Sequence, residues 1–286
     1  MTNPVPLPRL PKRAADSHKG DYGLALLVGG SRGMAGAIAL AGMACLRSGA
    51  GLVKLAVPDC CLDAVATFEP SYMTTPLACD DGGRIGIAAK NTIGKLADDA
   101  TCIACGPGLG RSLELTQLVA WLYRMAPQPI VFDADSLFAL AEVPEELSRQ
   151  AAGPRILTPH PGEFIRLSGV SATSRDDQIK AAKEMAARHG TIVLLKGQRT
   201  FITDGTREAY NTTGNPGMAT GGCGDVLTGV IAALICQNLS PFDAAVLGAH
   251  VQGLAGNLAA AELGQVSLIA SDLLRFLPRA FQEVAL

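Results

Sequence analysis

A carboxylate placed just after a run of glycines, at the start of an apolar helix, can perform acid–base chemistry beside a bound anion. Asp225 occupies such a position. The stretch Asn215-Pro216-Gly217-Met218-Ala219-Thr220-Gly221-Gly222-Cys223-Gly224-Asp225 leads into Val226, Leu227, Val230, Ile231, Leu234 and Ile235, whose spacing marks one buried helical stripe. Gly221, Gly222 and Gly224 therefore sit at a helix N-terminus. There, unpaired backbone N–H groups and the positive end of the dipole attract anions, and the missing Cβ lets a phosphate approach closely. Asp225 could take a proton from a substrate hydroxyl while the N–H groups stabilise charge on a transferring phosphoryl group. The plainer alternative, a first-turn acid behind a tight loop, does not account for so long a glycine-rich stretch. No G-x-x-x-x-G-K-[ST] pattern occurs, which excludes a Walker-type phosphate loop. A helix N-terminus can lower a thiol pKa, yet Cys223 reads more simply as a small residue, and no nucleophilic role falls to it.

Further candidates end apolar runs. Asp133 and Asp135 project to the same side of an extended segment. Asp135 reads as the cap of a helix beginning at Ser136, which leaves Asp133 as the functional candidate. Lys196 closes a buried strand, where its point charge either serves a phosphate or reaches solvent past an apolar stem. His160 lies in the loop Thr158-Pro159-His160-Pro161-Gly162-Glu163. A loop favours function over packing, and the ring can donate a hydrogen bond to an amide or phosphate.

The elements that must position these residues follow from hydrophobic period and breakers. Short runs rich in Val, Ile and Leu over 24–28, 52–57, 101–104, 130–132, 155–157 and 191–195 alternate with helical stretches over 36–48, 113–124, 174–189, 225–236 and 241–263, the pattern of a parallel sheet covered by helices on both faces. Thr203-Asp204-Gly205-Thr206 between 199–202 and 208–211 predicts an antiparallel hairpin. The apolar strands end in Gly29-Gly30-Ser31, Gly106-Pro107-Gly108-Leu109-Gly110, Asp133-Ala134-Asp135, the loop around His160 and Lys196-Gly197. Ligands of open α/β sheets bind outside the carboxyl ends of the strands, so these turns should converge on one crevice.

Composition bounds the partners. The chain has 286 residues, 48% of them hydrophobic, enough for one large domain; a Pro-rich arm over 1–17 precedes a domain over 18–286. Lys plus Arg (24) nearly balance Asp plus Glu (26), which argues against nucleic acid and anionic membrane as partners. No run reaches the roughly 18 apolar residues of a membrane span. Eight scattered cysteines and an opening without an apolar leader predict a cytoplasmic protein without disulfides. Cys102 and Cys105 share a C-x-x-C spacing, but residues three apart in a strand face opposite ways, so it is read as coincidence.

The blocks His18-Lys19-Gly20-Asp21-Tyr22-Gly23, Gly29-Gly30-Ser31, Gly106 to Gly110, Asp133 to Asp135, Pro159 to Glu163, Lys196-Gly197 and Asn215 to Asp225 stand in one order that resembles the ADP-dependent NAD(P)H-hydrate dehydratases. The resemblance implies a ribokinase-like three-layer α/β domain with a mostly parallel central sheet. It implies removal of water from the S epimer of hydrated NADH or NADPH, driven by ADP, or by ATP in some members, with Mg2+, and release of AMP and phosphate. Asp225 is then the base, and Gly224 with the preceding glycines forms the anion hole. Lys196, Gly197, Gln198, Arg199 and Thr200, with Asn215, Gly221, Gly222 and Gly224, line the nucleotide site. Ala37, Gly108, Gly110 and His160, with Asp225, contact the hydrated nicotinamide; Ala37 also reads as helix packing and Gly108 as a simple turn. Related vitamin and sugar kinases have Asn in an N-x-x-E pattern where this chain has His160, a change that favours the dehydratases. It leaves Glu163 either organising magnesium or serving as a first-turn acid. The resemblance further implies a homotetramer and a separate NAD(P)H-hydrate epimerase as functional partner. The rival readings are a ribokinase-like kinase of a small alcohol, such as a hydroxymethylpyrimidine, thiazole or pyridoxal, and a nucleotide sensor without turnover.

Overall fold

The computed structural model describes residues 6–171 and 174–284. Its strands are β1 (Leu24–Val28), β2 (Leu52–Pro58), β3 (Met73–Leu77), β4 (Cys102–Cys105), β5 (Ile130–Phe132), β6 (Arg155–Leu157), β7 (Ile192–Leu195), β8 (Phe201–Thr203) and β9 (Glu208–Tyr210). They form one sheet in the order β3-β2-β1-β4-β5-β6-β7-β8-β9, parallel from β3 to β7. β8 and β9 add antiparallel at one edge, as the Asp-Gly turn predicts. β3 carries no expectation from sequence: Met73-Thr74-Thr75-Pro76-Leu77 is half exposed and contains a proline, which only an edge strand tolerates.

The helices are α1 (Ala35–Arg47), α2 (Leu62–Ala66), α3 (Lys90–Asp98), α4 (Leu113–Met125), α5 (Asp135–Ala141), α6 (Pro144–Leu147), α7 (Pro161–Ser168), α8 (Arg175–His189), α9 (Cys223–Cys236), α10 (Pro241–Leu263) and α11 (Ala270–Val284). Strand side chains alternate between two cores. Ala25 and Leu27 face α1, α9, α10 and α11, whereas Leu26 and Val28 face α3, α4, α5, α7 and α8. Cys102 and Cys105 fall into opposite cores, so their spacing serves no shared site. On the first face α1 and α9 pack backbone to backbone, because a Cβ on Gly229 would collide with the carbonyl of Ala41.

The two ends of the sheet differ. At the amino end the buried guanidinium of Arg155 donates to the carbonyls of Tyr123 and Ala126, each at 2.6 Å, and of Gln128 and Pro154, each at 3.0 Å. That end is closed. At the carboxyl end the chain order reverses between β1 and β4, and the switch point of an open α/β sheet is where a crevice opens.

Candidate functional site

Helix α9 begins at Cys223, two residues earlier than its apolar stripe predicts, so Gly224 lies in the first turn rather than in the loop. Its N-cap is Gly222, at φ +93°, where a Cβ would come within 2.8 Å of both Ala270 and Leu40. A glycine cap has no side chain to offer. Among the described residues the N–H groups of Cys223, Gly224 and Asp225 find no acceptor, and Gly221 beside them is exposed with open space around its Cα. The result is an anion site of bare backbone. Cys223 is no nucleophile: burial, with Asp225 adding to it, pushes its thiol up to about 11 despite a hydrogen bond with the Thr220 backbone.

Beneath Gly224 lies a charged cluster; a Cβ there would stand 3.4 Å from Lys196 Nζ and 3.5 Å from Asp133 Oδ2. Lys196 Nζ donates to Asp133 Oδ1 at 2.7 Å and lies 3.7 Å from Glu163 Oε2. Burial works against the ammonium, but Asp133, Glu163 and Asp225 outweigh it and hold Lys196 charged above its ordinary pKa. Burial also works against the Asp133 carboxylate, which Lys196, Thr228 and Thr158 nonetheless hold below the usual range. Half-buried Asp225 goes the other way. Its carboxyl is pushed up to about 7, first by burial and then by Asp133, with Lys196 opposing and Asp135 and Glu163 adding. A group that exchanges a proton near neutrality is matched to general-base work.

Asp133 and Asp135 do not project to the same side, as an extended segment would require. Ala134 between them adopts φ +49°, ψ −123°, a region that a non-glycine residue enters at a cost of about 1–3 kcal/mol. The turn sends Asp133 toward Lys196 and α9 and sends Asp135 toward the loop after β4. There Asp135 accepts from Gly110 N at 2.9 Å and from Arg111 Nε at 3.3 Å. It is the first residue of α5 and does not cap it.

His160 and Glu163 close the start of α7. His160 Nδ1 accepts from the N–H groups of Gly162 at 3.0 Å and Glu163 at 3.3 Å, while Glu163 Oε2 accepts from His160 N at 2.7 Å. With Nδ1 engaged as an acceptor, the ring proton sits on Nε2. Among the described residues no group of three His, Cys, Asp or Glu side chains is spaced to hold a metal. Glu163 is engaged in its capping box, and both Asp133 oxygens accept from Lys196 and Thr228. Glu163 Oε2 is thus engaged while Oε1 accepts no hydrogen bond among the described residues, so the side chain alone does not make a closed magnesium site, and a magnesium ion there would draw its other ligands from elsewhere.

A cleft of about 830 Å3 opens from this cluster along the tips of β6, β7 and β8. Its walls include His160, Lys196, Gln198, Thr200, Asn215 and Gly224, with Gly197 and Gly221 among them. Arg199 is not in its wall; the guanidinium lies 5.2 Å from the Tyr210 ring centre. Asn215 is in the wall with its amide already engaged: Oδ1 accepts from Gly217 N at 2.9 Å and Nδ2 donates to Gly256 O at 2.9 Å. It shapes the loop. Arg175 braces the other wall by donating to the carbonyls of Leu195, Lys196 and Arg199.

Ala37, Gly108 and Gly110 lie apart from this cleft, at the switch point. Gly108, at φ +62°, packs so closely that a Cβ would strike the carbonyl of Met34 and lie 3.0 Å from Ala37 Cβ. The Gly110 N–H is already donated to Asp135, so Gly110 has no amide to offer a dinucleotide. His160 lines the cleft with Lys196 and Gln198 rather than standing beside Ala37. Asp225 lies between the two regions: its neighbour Gly224 lines the cleft, and Gly222 rests on Leu40, one turn beyond Ala37 on α1.

Sequence reasoning missed Thr228, whose hydroxyl donates to Asp133 Oδ2 at 2.8 Å. The signal was there: a buried threonine three residues after Asp225, in a helix that is apolar from Val226 onward apart from it, needs a partner. Ala134 gave no signal, because alanine does not announce a positive φ.

A family model described as NAD(P)H-hydrate dehydratase matches residues 25–279. The bifunctional NAD(P)H-hydrate repair enzyme of Moorella thermoacetica is 44% identical over 278 residues, 96% of this chain and 52% of that protein. The chain thus spans about half the length of the bifunctional relatives it matches. An ADP/ATP-dependent NAD(P)H-hydrate dehydratase from Bacillus subtilis, crystallised with ATP and Mg2+, is similar at a TM-score of 0.81 and 32% identity, over 96% of this chain and 95% of that one. The sheet and its two helical layers are thus ribokinase-like. A hydroxyethylthiazole kinase from Pyrococcus horikoshii, at a TM-score of 0.59 and 14% identity over 91% of this chain and 89% of that one, shares the fold alone.

Proposed function

The chain belongs to the NAD(P)H-hydrate dehydratase family, and from that premise we propose that it uses ADP to remove water from the S epimer of NAD(P)H hydrate, releasing AMP and phosphate. Hydroxide leaves poorly, so the hydroxyl is first made a phosphate ester. The substrate oxygen attacks the β-phosphorus of ADP, Asp225 accepts its proton, and AMP departs. The ring nitrogen then expels phosphate from the carbon beside it to leave an iminium, and the next ring carbon gives up a proton to the departing phosphate or to water, which restores the double bond of the dihydronicotinamide. The chain supplies position and charge: the open amides of α9 and the Lys196 ammonium face the transferring phosphoryl group, and Asp225 holds the proton. A magnesium ion bound to the nucleotide phosphates would add charge neutralisation to what Lys196 and the α9 amides supply.

The observation that carries this reading is the join between two regions. An uncapped helix start with a near-neutral carboxyl stands where a nucleotide-sized cleft meets the switch point. A sensor would have no use for that carboxyl, and the likeness to a thiazole kinase is one of fold only. A homotetramer, a cytoplasmic setting and a separate epimerase that supplies the S epimer complete the proposal. That the relatives it matches are bifunctional repair enzymes supports the partnership with an epimerase. The test incubates the chain with ADP and hydrated NADH and follows the near-ultraviolet absorbance of the restored ring. Recovery that depends on ADP is expected; recovery without nucleotide, or none with it, overturns the reading.

A further inference from the structure

Asp133 is 2% exposed and does not line the cleft, yet β6, β7 and α9 all meet its carboxylate. Oδ1 accepts from Lys196 at the end of β7, Oδ2 accepts from Thr228 on α9, and Thr158 at the end of β6 supports the same carboxylate. Thr228 lies nearly one turn beyond Asp225 on the same face of α9. The bond to its hydroxyl therefore fixes that helix in rotation as well as in depth. Asp133 reaches this place because Ala134 is held at φ +49°, which turns Asp135 away to Gly110 on the substrate side.

We infer that Asp133 is a positioning residue for the reaction: through Lys196 and Thr228 it holds Asp225 in register with the anion site. That Asp225 is the base rests on the dehydratase reading; the bracket around it does not. The groups facing Asp225 are Asp133 and Asp135 from the β5–α5 turn, Glu163 from α7, Lys196 from β7 and, on α9 itself, Cys223. Asp133 contributes in two ways with one sign. Its own charge opposes ionisation of Asp225, and it draws toward itself the one cation that favours it.

The test is the carboxyl carbon resonance of Asp225 in the full chain, assigned by its loss in Asp225→Asn and followed through a pH titration. In wild type it titrates near neutrality. In Asp133→Asn one negative neighbour is gone and Lys196 is free to face Asp225, so the midpoint falls by about one pH unit or more. Lys196→Met moves the midpoint the opposite way, upward. Thr228→Val keeps every charge; its midpoint stays put while turnover drops about tenfold. A role confined to stability would lower the melting temperature and leave the midpoint unmoved, and that result overturns the inference. Should Asp133→Asn not fold, a Lys196→Met midpoint at or below wild type does the same. The titration needs no turnover. A wild type that fails to restore the hydrate sinks the functional reading, while the midpoints still decide the role of Asp133.

Discussion

Helices α7 and α9 both begin at the carboxyl end of the sheet, and they finish their first turns in opposite ways. At α7 the imidazole of His160 takes two backbone N–H groups and Glu163 takes a third, so the start is closed. At α9 the cap is a glycine and three N–H groups stay open. A closed start stabilises a helix by about 1 kcal/mol. An open one forgoes that gain and keeps its partial positive charge for a ligand. Two helix starts of similar sequence appearance, each with an acid in the first turn, thus divide structure from chemistry.

The sharpest way to break that contrast is Asp225→Asn. Turnover should fall about a hundred- to ten-thousand-fold, measured as ADP-dependent recovery of the ring absorbance. Stability should move the other way. The folded carboxyl is held up to about 7 against an ordinary value of 3.8; between those values the folded chain keeps a proton that the unfolded chain releases, so stability falls as pH rises through that window. Asp225→Asn removes this loss. Its melting temperature should exceed that of wild type at about pH 8, with the gain gone at about pH 4; equal gains at both would refute the near-neutral carboxyl.

Gly222→Ala tests the open start directly. A residue with a Cβ at φ +93° meets Ala270 and Leu40, and left-handed backbone alone costs about 1–2 kcal/mol. Denaturant unfolding should show at least that loss, with nucleotide affinity falling alongside. A variant as stable as wild type would mean that the loop can turn another way. On the closed helix, His160→Ala should lose about 1 kcal/mol, and His160→Asn, which restores a capping acceptor, should recover most of it. If His160→Ala unfolds like wild type, the cap contributes nothing and the histidine is there for ligand alone. The smallest effect sharpens the contrast from the ligand side. Inorganic phosphate at its own dissociation constant should raise the stability of the nucleotide-free chain by about 0.4 kcal/mol, and Gly222→Ala should respond less.

Much of this was legible before any coordinates. The parallel strands other than β3 announce themselves by short apolar runs, and the glycines around Asp225 by a composition that regular structure alone does not require. Other parts were not. α11 buries Leu273, Leu274, Phe276, Leu277 and Ala280 in helical period, but Pro278 interrupts the pattern. Asn215 and Gly110 look like ligand contacts in sequence because a motif shows which residues are held in place, not whether they hold a ligand or each other. Asp135 was misread for a related reason: alternation along an extended segment presumes a β backbone, and Ala134 departs from it.

The contact between Gly229 and Ala41 has a mechanical consequence. Where Gly229 meets Ala41 no side chain separates the helices, so α1 and α9 are joined there like one beam, and that beam carries Ala37 at one point and Asp225 at another. The spacing between them is a length fixed when the chain folds, like the gap of a gauge block. If Asp225 is the base of the proposed reaction, a substrate hydroxyl that falls short of that gap goes unreacted, however well the rest of the molecule is gripped.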